Sequence, residues 1–184
     1  MATTSDISLE RGLPASIDAE RSILGAILLD HSHYNEAAEQ ITSEDFALDS
    51  HRRIYQRIAE LMDRGRAVDI VTLTDELGRR KEVEAIGGVA YLASLTEGLP
   101  RRLSIEEYVR IVKEKSLLRH LIRVASSAMT EAADQADEPL EVLNRAEAAL
   151  LEVSDRGITR GFEDIQTIVK TAFGTIDSIW QHKR

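Results

Sequence analysis

From Ser104 to about Ala133 the chain contains neither proline nor glycine. As a single helix that run would be about 45 Å long at 1.5 Å per residue. Ser104 and Glu107 have the spacing of a capping box ahead of Tyr108, Val109 and Val112. From Leu118 onward the apolar positions are Leu118, Leu121, Ile122, Ala125, Ala128, Met129 and Ala132, a three–four repeat with small residues mixed in. Asp134 to Glu138 reads as an acidic turn, and Pro139 suits the first turn of a second helix. Leu143, Ala146, Leu150 and Val153 then repeat the same spacing. The two segments predict a helical hairpin over 104–153. Such a hairpin cannot bury both of its apolar stripes alone, and a second copy would complete a four-helix bundle. The expected dimer contact is Leu118, Leu121, Ile122, Ala125, Leu143, Leu150 and Val153. The competing expectation is a monomer whose hairpin folds back on the rest of the chain.

Residues 14–103 carry shorter periodic segments. Pro14 and Ser16 open a helix with Ile23, Leu24, Ile27 and Leu28 on one face, Ser16 as its expected cap and Asp18 and Glu20 at its positive end. A helix over Tyr34–Ile41 and a short helical piece at Thr42–Phe46 follow. Asp49 is the expected cap of a helix buried through Ile54, Ile58, Leu61 and Met62 and ended by Gly65. Asp69 or Thr72 starts the next helix, Thr72 and Asp75 having capping-box spacing. Gly87-Gly88 breaks the chain before a helix with Val89, Leu92, Ala93 and Leu95, which stops at Gly98 and Pro100. Each of these helices would be marginal alone, so they are expected to pack as one small globular head. The fold class is all-α.

Residues 1–13 read as a disordered tail, and 154–184 as a linker followed by a tethered amphipathic helix. Phe162, Ile165, Val169, Phe173, Ile176 and Trp180 lie on one broad side of that helix. They include two of the three Phe and the only Trp of the chain. An amphipathic helix on a tether is expected to dock on another domain or subunit. Packing on its own head is the alternative, and a membrane-surface role is disfavoured because the polar face is not basic.

Chemistry is hard to place on this sequence. The formal net charge of -9 opposes a grip on phosphate backbone. No cysteine is present, so there is no disulfide framework or thiolate metal site. Met1–Gly12 lacks the apolar core of a signal peptide, and no apolar run reaches bilayer-spanning length; a cytoplasmic protein is expected. No phosphate-binding loop, dinucleotide fingerprint, HExxH, calcium loop or nucleophile elbow occurs. His31 and His33 point apart on a helix and lack a third ligand, so no metal site is expected. His51, His120 and His182 are isolated in sequence, and His120, among Arg119 and Arg123, is expected in solvent. Glu106-Glu107 is explained by the helix dipole. The clusters Arg52-Arg53, Arg79-Arg80-Lys81 and Arg101-Arg102 read as solvated faces and local ion pairs. No catalytic residue is expected.

Five short stretches together resemble the N-terminal region of bacterial replicative helicases of the DnaB family. They are Leu13-Pro-Ala-Ser-Ile-Asp-Ala-Glu-Arg-Ser-Ile-Leu-Gly25; Asp45-Phe46 followed by His51-Arg-Arg-Ile54-Tyr55; Val68-Asp69-Ile-Val-Thr-Leu73 with Glu76-Leu77; Gly87-Gly88-Val-Ala-Tyr91-Leu92; and Tyr108-Val-Arg-Ile-Val112. Each is weak alone; their order and spacing over about residues 13–155 carry the likeness, and the last helix is similar to the family's linker helix. The resemblance implies ATP-driven ring helicases, usually hexamers, whose N-terminal domains form a collar as a trimer of dimers. Hairpins make one pairing contact and heads the other, and the linker helix docks on the motor domain of the neighbouring subunit. It further implies contacts with the primase C-terminal domain, with Tyr91, Ile122 and Met129 at the matching positions, and with a helicase loader. ATP and magnesium would belong to a motor domain that this sequence does not reach, with no cofactor in these residues and no direct grip on DNA. An excised fragment is the expectation; a stand-alone primosome adaptor or loader-type interaction protein is the alternative.

Overall fold

The computed structural model describes residues 12–99 and 104–157. Residues 1–11 of the tail expected at 1–13, the Arg101-Arg102 cluster and the last helix with Phe162, Ile165, Val169, Phe173, Ile176 and Trp180 lie outside them. Seven α-helices follow in chain order. They are α1 Ile17–Leu29, α2 His33–Ala38, α3 Asp49–Asp63, α4 Ile70–Arg79, α5 Gly88–Ser94, α6 Glu106–Asp134 and α7 Pro139–Gly157. A 3-10 turn at Ser43–Asp45 lies between α2 and α3, and no strand occurs among the described residues.

The head core takes Ile23, Leu24 and Ile27 from α1, Ile54, Ile58 and Leu61 from α3, Leu73 and Leu77 from α4 and Leu92 from α5. Each set follows its helix's three–four spacing, so burying one stripe per helix closes the core. Phe46 is fully buried and packs on the Tyr55 ring, centroids 4.9 Å apart. The core also reaches into the long helix: Ile105, Val109 and Val112 belong to it. The first turns of α6 are therefore head, and the same unbroken helix carries on as the first arm of the hairpin. Beyond Arg119, Val153 is the only buried residue among those described.

Several helix ends differ from the sequence expectation. Ser16 makes no capping side-chain bond, and Asp49 stands inside α3, whose cap position is Leu48. Ser104 and Glu107 do not form a capping box; α6 starts at Glu106 behind Ile105, whose buried side chain fixes the entry instead. The α4 box is Asp69 with Thr72, not Thr72 with Asp75: the Thr72 amide donates to the Asp69 carboxylate at 2.8 Å and the Asp69 amide to the Thr72 hydroxyl at 3.0 Å. Helix α2 ends at Ala38, short of Ile41, and α7 runs to Gly157, past the expected linker start at Ser154. Gly65, at φ +62, ends α3 as expected: Arg66 N–H returns to Leu61 O and Gly65 N–H to Met62 O, both at 2.9 Å.

The Thr72 amide, helped by its hydroxyl, holds the Asp69 carboxyl below its ordinary value against the opposing effect of burial. The cap is thus complete above the ordinary carboxylate range and is lost as falling pH protonates Asp69. Asp69→Ala is expected to cost about 1 kcal/mol in denaturant unfolding at neutral pH, with the difference from the parent closing in acid.

Candidate interaction surfaces

Helices α6 and α7 pack antiparallel. Val124 and Ala128 face Val142, Ala146 and Ala149 along a half-buried seam that ends at buried Val153. Arg145 ties the turn end, donating to Glu131 at 3.0 Å and Asp137 at 2.6 Å. Off this seam, Leu118, Leu121 and Met129 on α6 and Leu140, Leu143, Leu150 and Leu151 on α7 are exposed. At about 100° per residue the α6 stripe stands roughly 100° from the seam, and Leu143 and Leu150 on α7 stand about as far in the same rotational sense. Because the helices are antiparallel, equal rotations bring both stripes to the same broad side of the hairpin. The result is one leucine-rich face that stands exposed among the described residues.

The expected hairpin contact set divides on this geometry. Leu118, Leu121, Ala125, Leu143 and Leu150 are exposed, Ile122 is half-buried, and Val153 is buried inside the chain, where it closes the seam. Met129 is exposed beside the stripe; Tyr91 lies on the head, half-buried. The three positions matched to primase contact thus do not form one patch of a single helix: Ile122 and Met129 are on the arm and Tyr91 is on α5.

The structure also holds a buried polar cluster that sequence reading passed over. Glu20 is 1% exposed, His51 0% and Arg119 2%. His51 is not isolated: its Nδ1 lies 2.7 Å from Glu20 Oε2 and its Nε2 lies 2.6 Å from the Tyr91 hydroxyl. A neutral ring with the proton on Nδ1 satisfies both neighbours, donating to Glu20 and accepting from Tyr91. Burial, ahead of the opposing Arg21 and the reinforcing Glu20 charges, raises the Tyr91 phenol above its ordinary value, so it remains a donor at neutral pH. Glu20 also accepts the Ala47 amide at 2.7 Å. Arg119 is not in solvent either; it donates to Pro14 O at 2.7 Å and to Asp45 O. Burial draws its guanidinium below the ordinary arginine value. Arg52 donates to Phe46 O and Ala47 O, each at 2.9 Å. The loop from Asp45 to Leu48 is therefore gripped from three helices, which accounts physically for the Asp45-Phe46 … His51-Arg-Arg pattern.

Helical phase could have found these residues. Glu20 precedes Ile23 and Leu24 on the α1 stripe, His51 precedes Ile54 and Tyr55 on α3, and Arg119 follows Val112 and Ser116 on α6. Three further arginines of the basic clusters are paired locally: Arg53 with Asp49 and Glu82, Arg79 with Asp75, Arg80 with Glu60 and Glu76. His33 pairs with Glu36 at 3.6 Å, and His120 Nδ1 lies 2.9 Å from Ser116 O. Among the described residues no group of three or more His, Cys, Asp or Glu is placed to hold a metal ion, and no helix is long and apolar enough to cross a membrane.

Comparison with known proteins fits this architecture. The family model for the DnaB-like helicase N terminal domain matches residues 12–114. The replicative DNA helicase DnaB of Geobacillus stearothermophilus is 38% identical over 95% of this chain and 38% of its own length. The replicative DNA helicase DnaC of Bacillus subtilis is 36% identical over 97% of this chain and 39% of its own. The chain thus spans well under half the length of these relatives. The crystal structure of the N-terminal domain of DnaB helicase from Mycobacterium tuberculosis superposes with a TM-score of 0.73 at 31% identity, covering 77% of this chain and 99% of that one. A DnaB-like replicative helicase solved with its interactions with primase shares the fold at a TM-score of 0.63 and 22% identity, covering 87% of this chain and 36% of that one.

Proposed function

The chain belongs to the DnaB-like helicase N-terminal domain family, and from that premise we propose that it is the collar module of a replicative helicase, which pairs subunits and recruits primase in the cytoplasm. The observation that carries the reading is the leucine face of the α6–α7 hairpin, exposed among the described residues. Two such faces packed together form a four-helix bundle with no new fold required. Hairpin pairing combined with head-to-head contact generates a trimer of dimers, hence a hexamer. On this reading the Phe162–Trp180 stripe docks on the motor domain of a neighbouring subunit. Unwinding, ATP and magnesium belong to that motor domain, outside these residues. A helicase loader would engage the same assembly. The chain itself does not grip DNA: its net charge is -9, and Arg52, Arg53, Arg79 and Arg80 are engaged within the head.

Support for primase as a partner comes from the solved helicase of like fold that was described with its interactions with primase. Tyr91, Ile122 and Met129 are the proposed contacts. The Tyr91 hydroxyl is already bonded to His51, so what Tyr91 offers a partner is its ring. Calorimetric titration of the 184-residue chain with the cognate primase C-terminal domain is expected to saturate near one primase domain per two chains. Met129→Asp is expected to weaken that binding at least about tenfold while the chain stays folded. Absence of binding to a folded, paired chain would remove primase recruitment from the account and leave assembly.

A further inference from the structure

We propose that a buried polar chain running from Tyr91 on α5 to Arg119 on α6 couples the outer side of the head to the root of the hairpin, so that a change at the Tyr91 hydroxyl alters how firmly the arm is held.

The links are short hydrogen bonds as far as Arg52, and the last step to Arg119 runs through the Phe46 backbone. Tyr91 meets His51 at 2.6 Å, His51 meets Glu20 at 2.7 Å, and Glu20 accepts the Ala47 amide at 2.7 Å. That amide shares a peptide unit with Phe46 O, which accepts from Arg52 at 2.9 Å. One peptide further back, Asp45 O accepts from Arg119, whose other arm holds Pro14 O at 2.7 Å. The Phe46–Ala47 peptide therefore lies between the buried Glu20 carboxylate on its N–H side and the Arg52 guanidinium on its C=O side, and the next peptide back, whose N–H donates to Ser43 O at 3.3 Å, is held at its C=O by Arg119. Glu20 and Arg52 polarise the peptide between them, which in a low-dielectric interior strengthens both bonds, and Arg119 joins them through the Phe46 backbone. Arg119 is also where head support for α6 ends: Val109, Val112 and Ser116 are buried before it, and only Val153 after it among the described residues. Loss of its grip would release the start of the arm without removing any core apolar group. The coupling concerns the chain's own packing and stands whether or not the α5 surface meets primase.

The test is a double-mutant cycle on the full 184-residue chain. Tyr91→Phe removes only the hydroxyl. Arg119→Lys keeps the charge but not the two-pronged grip on Pro14 O and Asp45 O. If the two act through one network, the combined change in the unfolding equilibrium constant departs from the product of the single changes by about threefold or more. Asp69→Ala, whose bonds involve neither group, serves as the control and multiplies with Arg119→Lys. Should Arg119→Lys fail to fold, Arg52→Lys probes the adjoining Phe46–Ala47 peptide of the same loop. Native-state amide exchange supplies the second readout. In Tyr91→Phe the amides of Ala47, Leu48 and the α6 turn after Arg119 should exchange at least about tenfold faster, and in Asp69→Ala they should not. Effects that multiply within about twofold, or unchanged exchange after Arg119, would overturn the coupling.

Discussion

Glu20→Ala should be among the most damaging single substitutions in the head, lowering its stability by about 3–5 kcal/mol, the combined cost of the buried donors it leaves without an acceptor. Its position would not suggest this, since an acid in the first turn of α1 looks like a dipole substitution worth a few tenths. But Glu20 is 1% exposed and accepts from His51, Ala47 and, at 3.5 Å, Leu48. With the carboxylate gone, the His51 Nδ1–H and the Ala47 amide remain in the interior without an acceptor, and each unmet donor costs about 1–3 kcal/mol. Glu20→Gln keeps the shape and one acceptor oxygen, so its cost should be about half or less. Thermal and urea unfolding followed by circular dichroism reads both. Equal, small effects from the two variants would mean that the carboxylate contributes little.

Gly25→Ala should be nearly as harmful although it adds a single methyl group in a helix, where Ala is ordinarily about 1 kcal/mol better than Gly. A Cβ at Gly25 would fall on the Leu95 carbonyl oxygen, 2.9 Å from the Leu95 carbonyl carbon and 2.7 Å from Leu99 Cδ1. The nearest obstacle is backbone, which cannot rotate away, so α1 and the end of α5 must separate. Overpacking of this kind costs about 1–3 kcal/mol and sometimes more, and here it also parts Arg21 from Ser94 O, bonded at 3.2 Å. Gly78, inside α4, is the matching control, because a methyl group added there would meet nothing within 4 Å. Gly78→Ala should stabilise by up to about 1 kcal/mol. Opposite signs at two helical glycines, measured by the same unfolding curves, would show that close approach of chain to chain decides the outcome.

Much of the fold was legible because most helices obey one rule. Ile23–Leu24–Ile27, Ile54–Ile58–Leu61 and Leu73–Leu77 announce their buried faces by spacing, and Gly65 marks an end that only a left-handed residue makes easily. The hairpin was legible for the same reason, down to Pro139 as the first residue of α7. Helix starts were less so. Ser16, Asp49 and Ser104 are chemically able to cap, but the true starts are set by burial of Ile105 or by the grip on the Asp45–Leu48 loop. The polar cluster was hidden because Glu20, His51 and Arg119 are polar residues in apolar phase. Composition assigns them to solvent, and only partners from 27 to 105 residues away in sequence satisfy them inside. The division of the arm between seam and open face also needed the structure. Val153 and Leu150 read alike as a repeat, yet the first closes the hairpin and the second faces out.

On the proposed reading a second copy of the chain covers the leucine face of α6 and α7. Sedimentation equilibrium of the 20.5 kDa chain tests it most directly, beside a Leu121→Asp/Leu143→Asp variant whose changes lie on exposed positions. The parent is expected to have a mass of at least two chains, and the variant to be folded by circular dichroism but at least about a hundredfold weaker in self-association. A parent that stays at one chain's mass at high micromolar concentration would contradict it, as would a variant that assembles as the parent does.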